Sequence, residues 1–202
     1  MDSKAALRKR LKAARRAHAA SLPDGIRALL FLRPPRAISE TIPPGTIIGV
    51  YAATPEEAPA SAYARWFFEA GHAVALPWFA ARDAAMTFRQ WENPHSIADL
   101  EKGPWGVLQL PASAPEAEPG LVFVPLVGFT ASGARLGMGA GHYDRWLAEH
   151  PQARAIGLGW DCQETPLLPL EPHDRALDAV ITPTRLLGPF ERGANEIGRA
   201  HV

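Results

Sequence analysis

Leu121-Val-Phe-Val-Pro-Leu-Val-Gly-Phe129, then Thr130-Ala-Ser132, then Gly133-Ala-Arg-Leu-Gly-Met-Gly-Ala-Gly-His-Tyr-Asp-Arg145 joins the most apolar run of the chain to a glycine-rich turn. The run reads as a buried strand over Leu121–Phe129. The residues after the glycines predict a helix from about Gly141 to Glu149. Strand, glycine turn and helix in that order make up the ligand-bearing corner of an open α/β sheet, where binding takes place beyond the carboxyl ends of the strands.

The flanking sequence repeats the alternation. Thr46-Ile-Ile-Gly-Val-Tyr-Ala-Ala53 is a β-branched run that reads as a buried strand, and Ala60–Ala70 as a helix closed by Gly71. His72–Phe79 and Met86–Trp91 are further strands, the second at an edge. Arg154–Trp160 and Ala179–Thr182 follow the glycine turn. With 20 Pro, about twice the usual ~5%, the chain is heavily punctuated. Much of that punctuation falls in 92–120, read as a long loop with short helical pieces. Strands alternating with helices predict one α/β domain with a mainly parallel sheet. A chain of 202 residues is long enough for one such core.

At the other end, residues 3–20 are good helix formers without Pro or Gly. Leu7, Leu11, Ala14 and His18 share one face, and Lys4, Arg8, Lys12 and Arg15 share another. A second helix is expected over Asp24–Phe31, followed by a break at Pro34-Pro35. The chain carries 21 Lys+Arg and 21 Asp+Glu, a balance that excludes a generally basic nucleic-acid binder. That balance hides a local excess, because the first 16 residues hold seven Lys+Arg against Asp2 alone. Such a start also suits a transit peptide, but its amphipathic face predicts docking on the domain. No apolar run is long enough for a membrane helix. The one cysteine, Cys162, cannot form an internal disulfide and reads as a small half-buried residue in a reducing, cytoplasmic setting. The seven His show no zinc-ligand spacing.

Gly137, Gly139 and Gly141 leave backbone N–H groups open to an anion, next to a helix start and Arg135. The competing reading is a tight turn that needs positive φ. The turn lacks the Gly-Lys-Ser/Thr of a P-loop and the spacing of a dinucleotide fingerprint. Asp144 reads equally as a Mg²⁺ ligand beside phosphates or as a helix N-terminal residue. Asp174 alone reads as a solvated turn residue. Glu56-Glu57 close the strand at Thr46–Ala53, at the end where a site would lie.

The stretch from Val124 to Arg145 resembles the signature of the 5-formyltetrahydrofolate cyclo-ligases. The resemblance extends to Lys4 and Arg8 at the start, to Tyr51 through Glu57, and to Gln163, Leu168-Pro169 and His173-Asp174. It implies a three-layer α/β/α fold and an ATP- and Mg²⁺-dependent closure of 5-formyltetrahydrofolate to 5,10-methenyltetrahydrofolate. Lys4, Arg8 and Arg135 would bind ATP phosphates. Leu136, Gly137, Met138, Gly139, Ala140, Gly141, His142 and Tyr143 would line the nucleotide. Ala52 and Glu57 would contact the folate, together with Met138, Gly139, Ala140, Gly141 and His142. Arg135 and Tyr143 would serve catalysis, and Asp144 and Asp174 the metal. Partners would be small molecules bound by a monomer or weak dimer, and a C-terminal tail over about 191–202 would be poorly ordered.

Three positions depart from the pattern: Thr130 where an Asp is usual, His142 for the first of two tyrosines, and Gln109 for a Glu. They leave open a family-fold nucleotide- or folate-binding protein without the activity or with another substrate. An unrelated phospho-ligand enzyme of similar fold, such as a sugar-phosphate isomerase, is a third reading.

Overall fold

A computed structural model describes residues 3–171 and 174–190. The expected tail over 191–202, Pro172 and His173 lie outside the described residues. Among the described residues, five α-helices, eleven strands and one 3-10 turn (Asp161–Gln163) follow one another, beginning with α1 (Lys4–Ser21), α2 (Asp24–Leu29), α3 (Arg36–Ser39), β1 (Ile48–Gly49), α4 (Ser61–Glu69), β2 (Val74–Trp78) and β3 (Thr87–Gln90). Then come β4 (Glu101–Lys102), β5 (Leu108–Gln109), β6 (Leu121–Pro125), β7 (Gly128–Phe129), β8 (Arg135–Leu136), α5 (His142–Glu149), β9 (Arg154–Leu158), β10 (Ala179–Ile181) and β11 (Leu186–Leu187).

The main sheet has seven strands in the order β11-β10-β9-β6-β1-β2-β3. Strands β10, β9, β6, β1 and β2 are mutually parallel, and β11 and β3 close the two edges antiparallel. Side-chain alternation sends the two faces into two separate cores. Leu121 and Phe123, Ile156 and Leu158, and Val74 and Leu76 pack with Tyr63 and Phe67 of α4 and Ile38 of α3. Val122 and Val124, Ala155, Val180 and Ala75 pack with Trp146 and Leu147 of α5. Helices cover both faces, as a buried parallel sheet requires. The chain runs from β1 to β2 in one direction and later from β6 to β9 and β10 in the other. The order therefore reverses between β1 and β6, at the crevice where open α/β sheets bind ligands.

Helix α1 starts at Ser3, whose hydroxyl accepts the Ala6 N–H. Its Leu7 and Leu11 form a third, smaller core with Val127, Ala134, Leu136 and Leu168. The buried stripe of α1 runs Leu7, Leu11, Arg15, Ala19. Arg15, expected on the charged face, is therefore buried. Lys4, Arg8, Leu11 and Arg15 fall within roughly 60° of one another around the helix at about 100° per residue, so the basic and apolar stripes overlap.

Other differences have local causes. The run Leu121–Phe129 breaks after Pro125, and Gly128-Phe129 turns away to pair with Arg135-Leu136. Only Ile48-Gly49 of the run Thr46–Ala53 is in the sheet. The segment 92–120 holds no helical pieces. Its regular structure is the hairpin β4–β5, closed by the Gly103 N–H on the Val107 carbonyl, with Gly106 at φ 77°. The prolines at 104, 111 and 115 suit such a path and disfavour a helix.

Gly128 lies close against α1. A Cβ there would lie 2.5 Å from Leu11 Cδ1. Gly128→Ala is expected to lower unfolding free energy by roughly 1–3 kcal/mol through overpacking, read from denaturant midpoints; an unchanged midpoint would show that α1 docks loosely.

Candidate active site

A cavity of about 590 Å³ opens beyond the carboxyl ends of β1, β2 and β6, where Tyr51, Pro77 and Pro125 reach its wall. That is within the usual volume for a small-molecule site, roughly 300–1,000 Å³. The fifteen residues singled out by the family resemblance all line it. Sequence neighbours such as the glycine turn were bound to be close. The informative members come from far along the chain: Lys4 and Arg8 from α1, Ala52 and Glu57 after β1, and Asp174 from the loop before β10.

One end is rich in charge. Lys4 Nζ donates to Asp174 Oδ2 at 2.7 Å and pairs with Glu171 Oε2 at 2.9 Å. Burial alone would lower the Lys4 pKa, but hydrogen bonds to these two carboxylates outweigh it and the net shift is upward. Arg8 Nε donates to the Gly137 carbonyl at 3.0 Å, with its guanidinium against Gly139. Arg135 Nη2 donates to Asp144 Oδ1 at 2.5 Å. The Arg175 N–H reaches the same oxygen at 3.4 Å, which brings the Asp174 segment against Asp144. Burial pulls the Arg135 pKa down, while Asp144, Tyr143 and Asp174 oppose it. Arg135 Nε is buried without a hydrogen-bond partner.

The glycine turn divides its work. Gly139 and Gly141 take φ of 113° and 66°, and Gly141 is the N-cap of α5. Those two answer to the turn itself. Gly137 has no such backbone demand, and a Cβ on it would meet only Arg135 Nη1 at 3.6 Å. Its missing side chain leaves room on the cavity side.

The cavity also takes in the Glu57 carboxylate and the rings of Tyr51, Phe79, Trp105, His142 and Tyr143. Glu57 is 8% exposed, and its Oε2 accepts the Thr54 N–H at 2.8 Å. Burial and the Glu57 charge push the Tyr143 phenol well above its ordinary range, so it remains a neutral donor. His142 sits with its ring 4.8 Å from Phe79 and 5.5 Å from Trp105. Arg145 Nη2 lies 3.0 Å from His142 Nδ1, an arrangement that makes Nδ1 the acceptor and puts the proton on Nε2. Partial burial and the Arg145 charge lower the His142 pKa, so the ring is neutral at pH 7.

The three departures separate here. Thr130 does not line the cavity; its hydroxyl accepts the Ala134 N–H at 3.1 Å and so closes the turn, as an aspartate oxygen could. Gln109 Oε1 accepts the Phe79 N–H and its Nε2 donates to the Phe79 carbonyl, both at 3.2 Å. A carboxylate could accept there but not donate. Gln109 and His142 both line the cavity; the Gln109 amide is engaged by the Phe79 backbone, while the His142 ring stands against Phe79 and Trp105.

Sequence reading missed Phe79, Glu171 and the burial of Arg15. Phe79 follows β2 directly, so its place at a strand's carboxyl end was the available signal; the pairing of Glu171 with Lys4 had none. Cys162 is half-buried and burial raises its pKa, which leaves it a poor thiolate. Among the described residues no group of three or more His, Cys, Asp or Glu could hold a metal unaided. No described helix is long and apolar enough to cross a membrane.

The model of the 5-formyltetrahydrofolate cyclo-ligase family matches residues 1–183. The 5-formyltetrahydrofolate cyclo-ligase of Escherichia coli K12 is 43% identical over 68 residues, 33% of this chain and 37% of that protein. The cyclo-ligase of Mycolicibacterium smegmatis is 39% identical over 129 residues, 58% of this chain and 63% of that protein. In both, the matched stretch spans less than two thirds of the relative's length. The solved structure of Aquifex aeolicus 5,10-methenyltetrahydrofolate synthetase superposes with a TM-score of 0.72 over 98% of this chain and 99% of that one, at 22% identity, and shows the shared fold. An unrelated phospho-ligand enzyme of similar fold is thereby set aside. With its signature turn, its N-terminal cations and its late aspartate gathered around one cavity, the chain belongs to the 5-formyltetrahydrofolate cyclo-ligase family.

Proposed function

We propose that the protein catalyses the ATP- and Mg²⁺-dependent cyclisation of 5-formyltetrahydrofolate to 5,10-methenyltetrahydrofolate. The observation that supports this most is the lining of the cavity beyond β1, β2 and β6, which gathers Arg8, and Lys4 and Arg135 with their paired carboxylates, and also the Glu57 carboxylate and several aromatic rings. A triphosphate suits the first and a pterin the second.

The chemistry asks for positioning more than for a nucleophilic side chain. A formamide carbon is a poor electrophile. Transfer of the γ-phosphoryl to the formyl oxygen forms an O–P bond, breaks the bond to the β-phosphate and releases ADP. The N5 lone pair then makes an iminium phosphate. N10 attacks that carbon and loses its proton, and phosphate leaves with the formyl oxygen. Lys4, Arg8 and Arg135 stabilise the charge that builds on the transferring group. The buried, unpartnered Arg135 Nε and the open face of Gly137 fit a phosphate oxygen. Leu136, Met138, Gly139, Ala140 and Gly141 carry the two substrates past one another, and Tyr143 offers its neutral hydroxyl. Ala52 and Glu57 hold the pterin, and His142 packs on it with Phe79.

Mg²⁺ prefers one or two carboxylates plus phosphate oxygens, which agrees with the lack of a larger ligand cluster among the described residues. Asp144 accepts both of its bonds on Oδ1, which leaves Oδ2 for the metal. Asp174 would be the second ligand once Lys4 turns to phosphate. When bound, the metal would supply charge neutralisation for the phosphates. The free thiol suits a reducing, cytoplasmic setting, the balanced charge argues against nucleic acid as a partner, and the enzyme is taken as a monomer or weak dimer.

Mixing the protein with 5-formyltetrahydrofolate and Mg·ATP should give an ATP-dependent rise in methenyltetrahydrofolate absorbance in the near ultraviolet. Folded protein that binds both ligands without that rise would favour a binding protein on this fold. Lys4→Ala removes a charge-assisted contact of about 1.5–3 kcal/mol, so KM for ATP should rise roughly 10- to 100-fold; an unchanged KM would remove α1 from the site. Asp144→Asn should raise the Mg²⁺ concentration needed for half-maximal rate by about tenfold, with equal requirement in both proteins contradicting its role.

A further inference from the structure

Arg15 is a buried cation that neither the turn chemistry nor the phosphate end of the cavity explains. Its side chain is 4% exposed, on a stripe otherwise made of Leu7, Leu11 and Ala19. Nη1 donates to the Leu126 carbonyl at 3.1 Å, while Nε is buried with no partner. A buried, partly satisfied guanidinium is costly, and an apolar side chain of similar size is often as good or better for stability. The feature it faces is the Glu56-Glu57 pair. Nη1 lies 3.6 Å from Glu57 Oε1 and Nη2 3.8 Å from Glu56 Oε2. Those are ion-pair distances beyond good hydrogen bonds, so Glu57 Oε1 retains acceptor capacity.

The rest of the Glu57 environment is fixed from other directions. Oε2 is held by the Thr54 N–H, and the Glu57 carbonyl accepts from Arg27 Nη2 at 3.4 Å. The Glu56 carbonyl accepts from Trp160 Nε1 at 3.0 Å, and Arg16 binds the Glu56 carboxylate at 2.7 Å. Arg15 is thus the cation that faces the one Glu57 oxygen the backbone does not hold. Glu57 itself reaches the cavity beside Tyr51 and Tyr143.

We infer that Arg15 is a positioning residue for the folate: it orients the Glu57 carboxylate toward the paired N–H donors of the pterin edge. This deepens the reading above and rests on it. Orientation matters because a carboxylate recognises two adjacent donors only when its plane faces them. It also makes α1 a shared support. Arg8 and Arg15 are two turns apart, about 10 Å along the helix, so one rod serves the phosphate end and the pterin end.

The test compares wild type, Arg15→Lys, Arg15→Met, Glu57→Gln and the Arg15→Lys/Glu57→Gln double variant in steady-state kinetics and calorimetric binding of 5-formyltetrahydrofolate and ATP. Arg15→Lys keeps the charge but loses the planar fork. It should raise folate KM and Kd about tenfold, with kcat and ATP KM changing by less than about twofold. Arg15→Met should do the same or more, and gives the answer if the lysine variant folds poorly. In the Glu57→Gln background Arg15→Lys should add little, since the carboxylate it orients is gone. Equal weakening of both substrates, or effects that multiply in the double variant, would overturn the assignment and leave Arg15 a structural residue. If Glu57→Gln binds folate as wild type does, the pterin role of Glu57 fails, and the inference with it. A wild-type protein that does not cyclise would instead bring down the proposed reaction, an outcome visible before any variant is made.

Discussion

The docking of α1 across the mouth of the sheet is the constraint on which the site depends. Beside the surface pair of Arg16 with Glu56, three polar anchors tie it to the later half of the chain: Lys4 on Asp174, Arg8 on the Gly137 carbonyl and Arg15 on the Leu126 carbonyl. Each joins residues more than a hundred positions apart. Apolar burial holds the helix down, through Leu7 and Leu11 against Val127, Leu136 and Leu168. At about 1.5–3 kcal/mol for each fully buried leucine, those contacts outweigh what partly exposed ion pairs supply. The anchors choose the angle and register of the helix more than its affinity. They also bring cations to a cavity whose other walls come from the sheet.

Those cations are already engaged within the chain. Lys4 sits on Asp174 and Glu171, and Arg135 on Asp144. Such pairing keeps buried charges from standing alone, where each would be strongly unfavourable. It also holds the carboxylates beside the place where a metal and phosphates would meet. On the proposed reading, substrate binding exchanges partners instead of creating charge contacts from nothing. Lysine and arginine pass to phosphate, and aspartates pass to Mg²⁺.

Much of this was legible in the sequence because it is local. The alternation of apolar runs with helix formers predicts the parallel sheet, and the strand, glycine turn and helix after Leu121 place the site at its carboxyl edge. The capped helix over the first twenty residues is equally local. What the sequence hides is set by packing at a distance. Arg15 shares a charged stripe with Lys4 and Arg8, and only the position of Leu126 and Glu57 decides that it is buried. The hairpin Glu101–Gln109 is held by Gln109 on the Phe79 backbone, a contact no periodicity marks. Strand pairing for Leu186-Leu187 depends on its β10 neighbour, since two leucines carry no strand signal of their own. Gln109 and Thr130 look like losses beside the family pattern; in place, each satisfies backbone groups, and of the three only Gln109 and His142 line the cavity.

Hydrogen exchange of the full chain, followed by mass spectrometry with and without a non-hydrolysable Mg·ATP analogue, tests most directly whether α1 is half of the phosphate site. The first turns of a helix exchange readily when little holds them. The predicted result is slowed exchange in two separate stretches at once, the Lys4–Leu11 amides and the Gly137–Gly141 turn. Protection of the glycine turn with unchanged exchange in α1 would contradict the account.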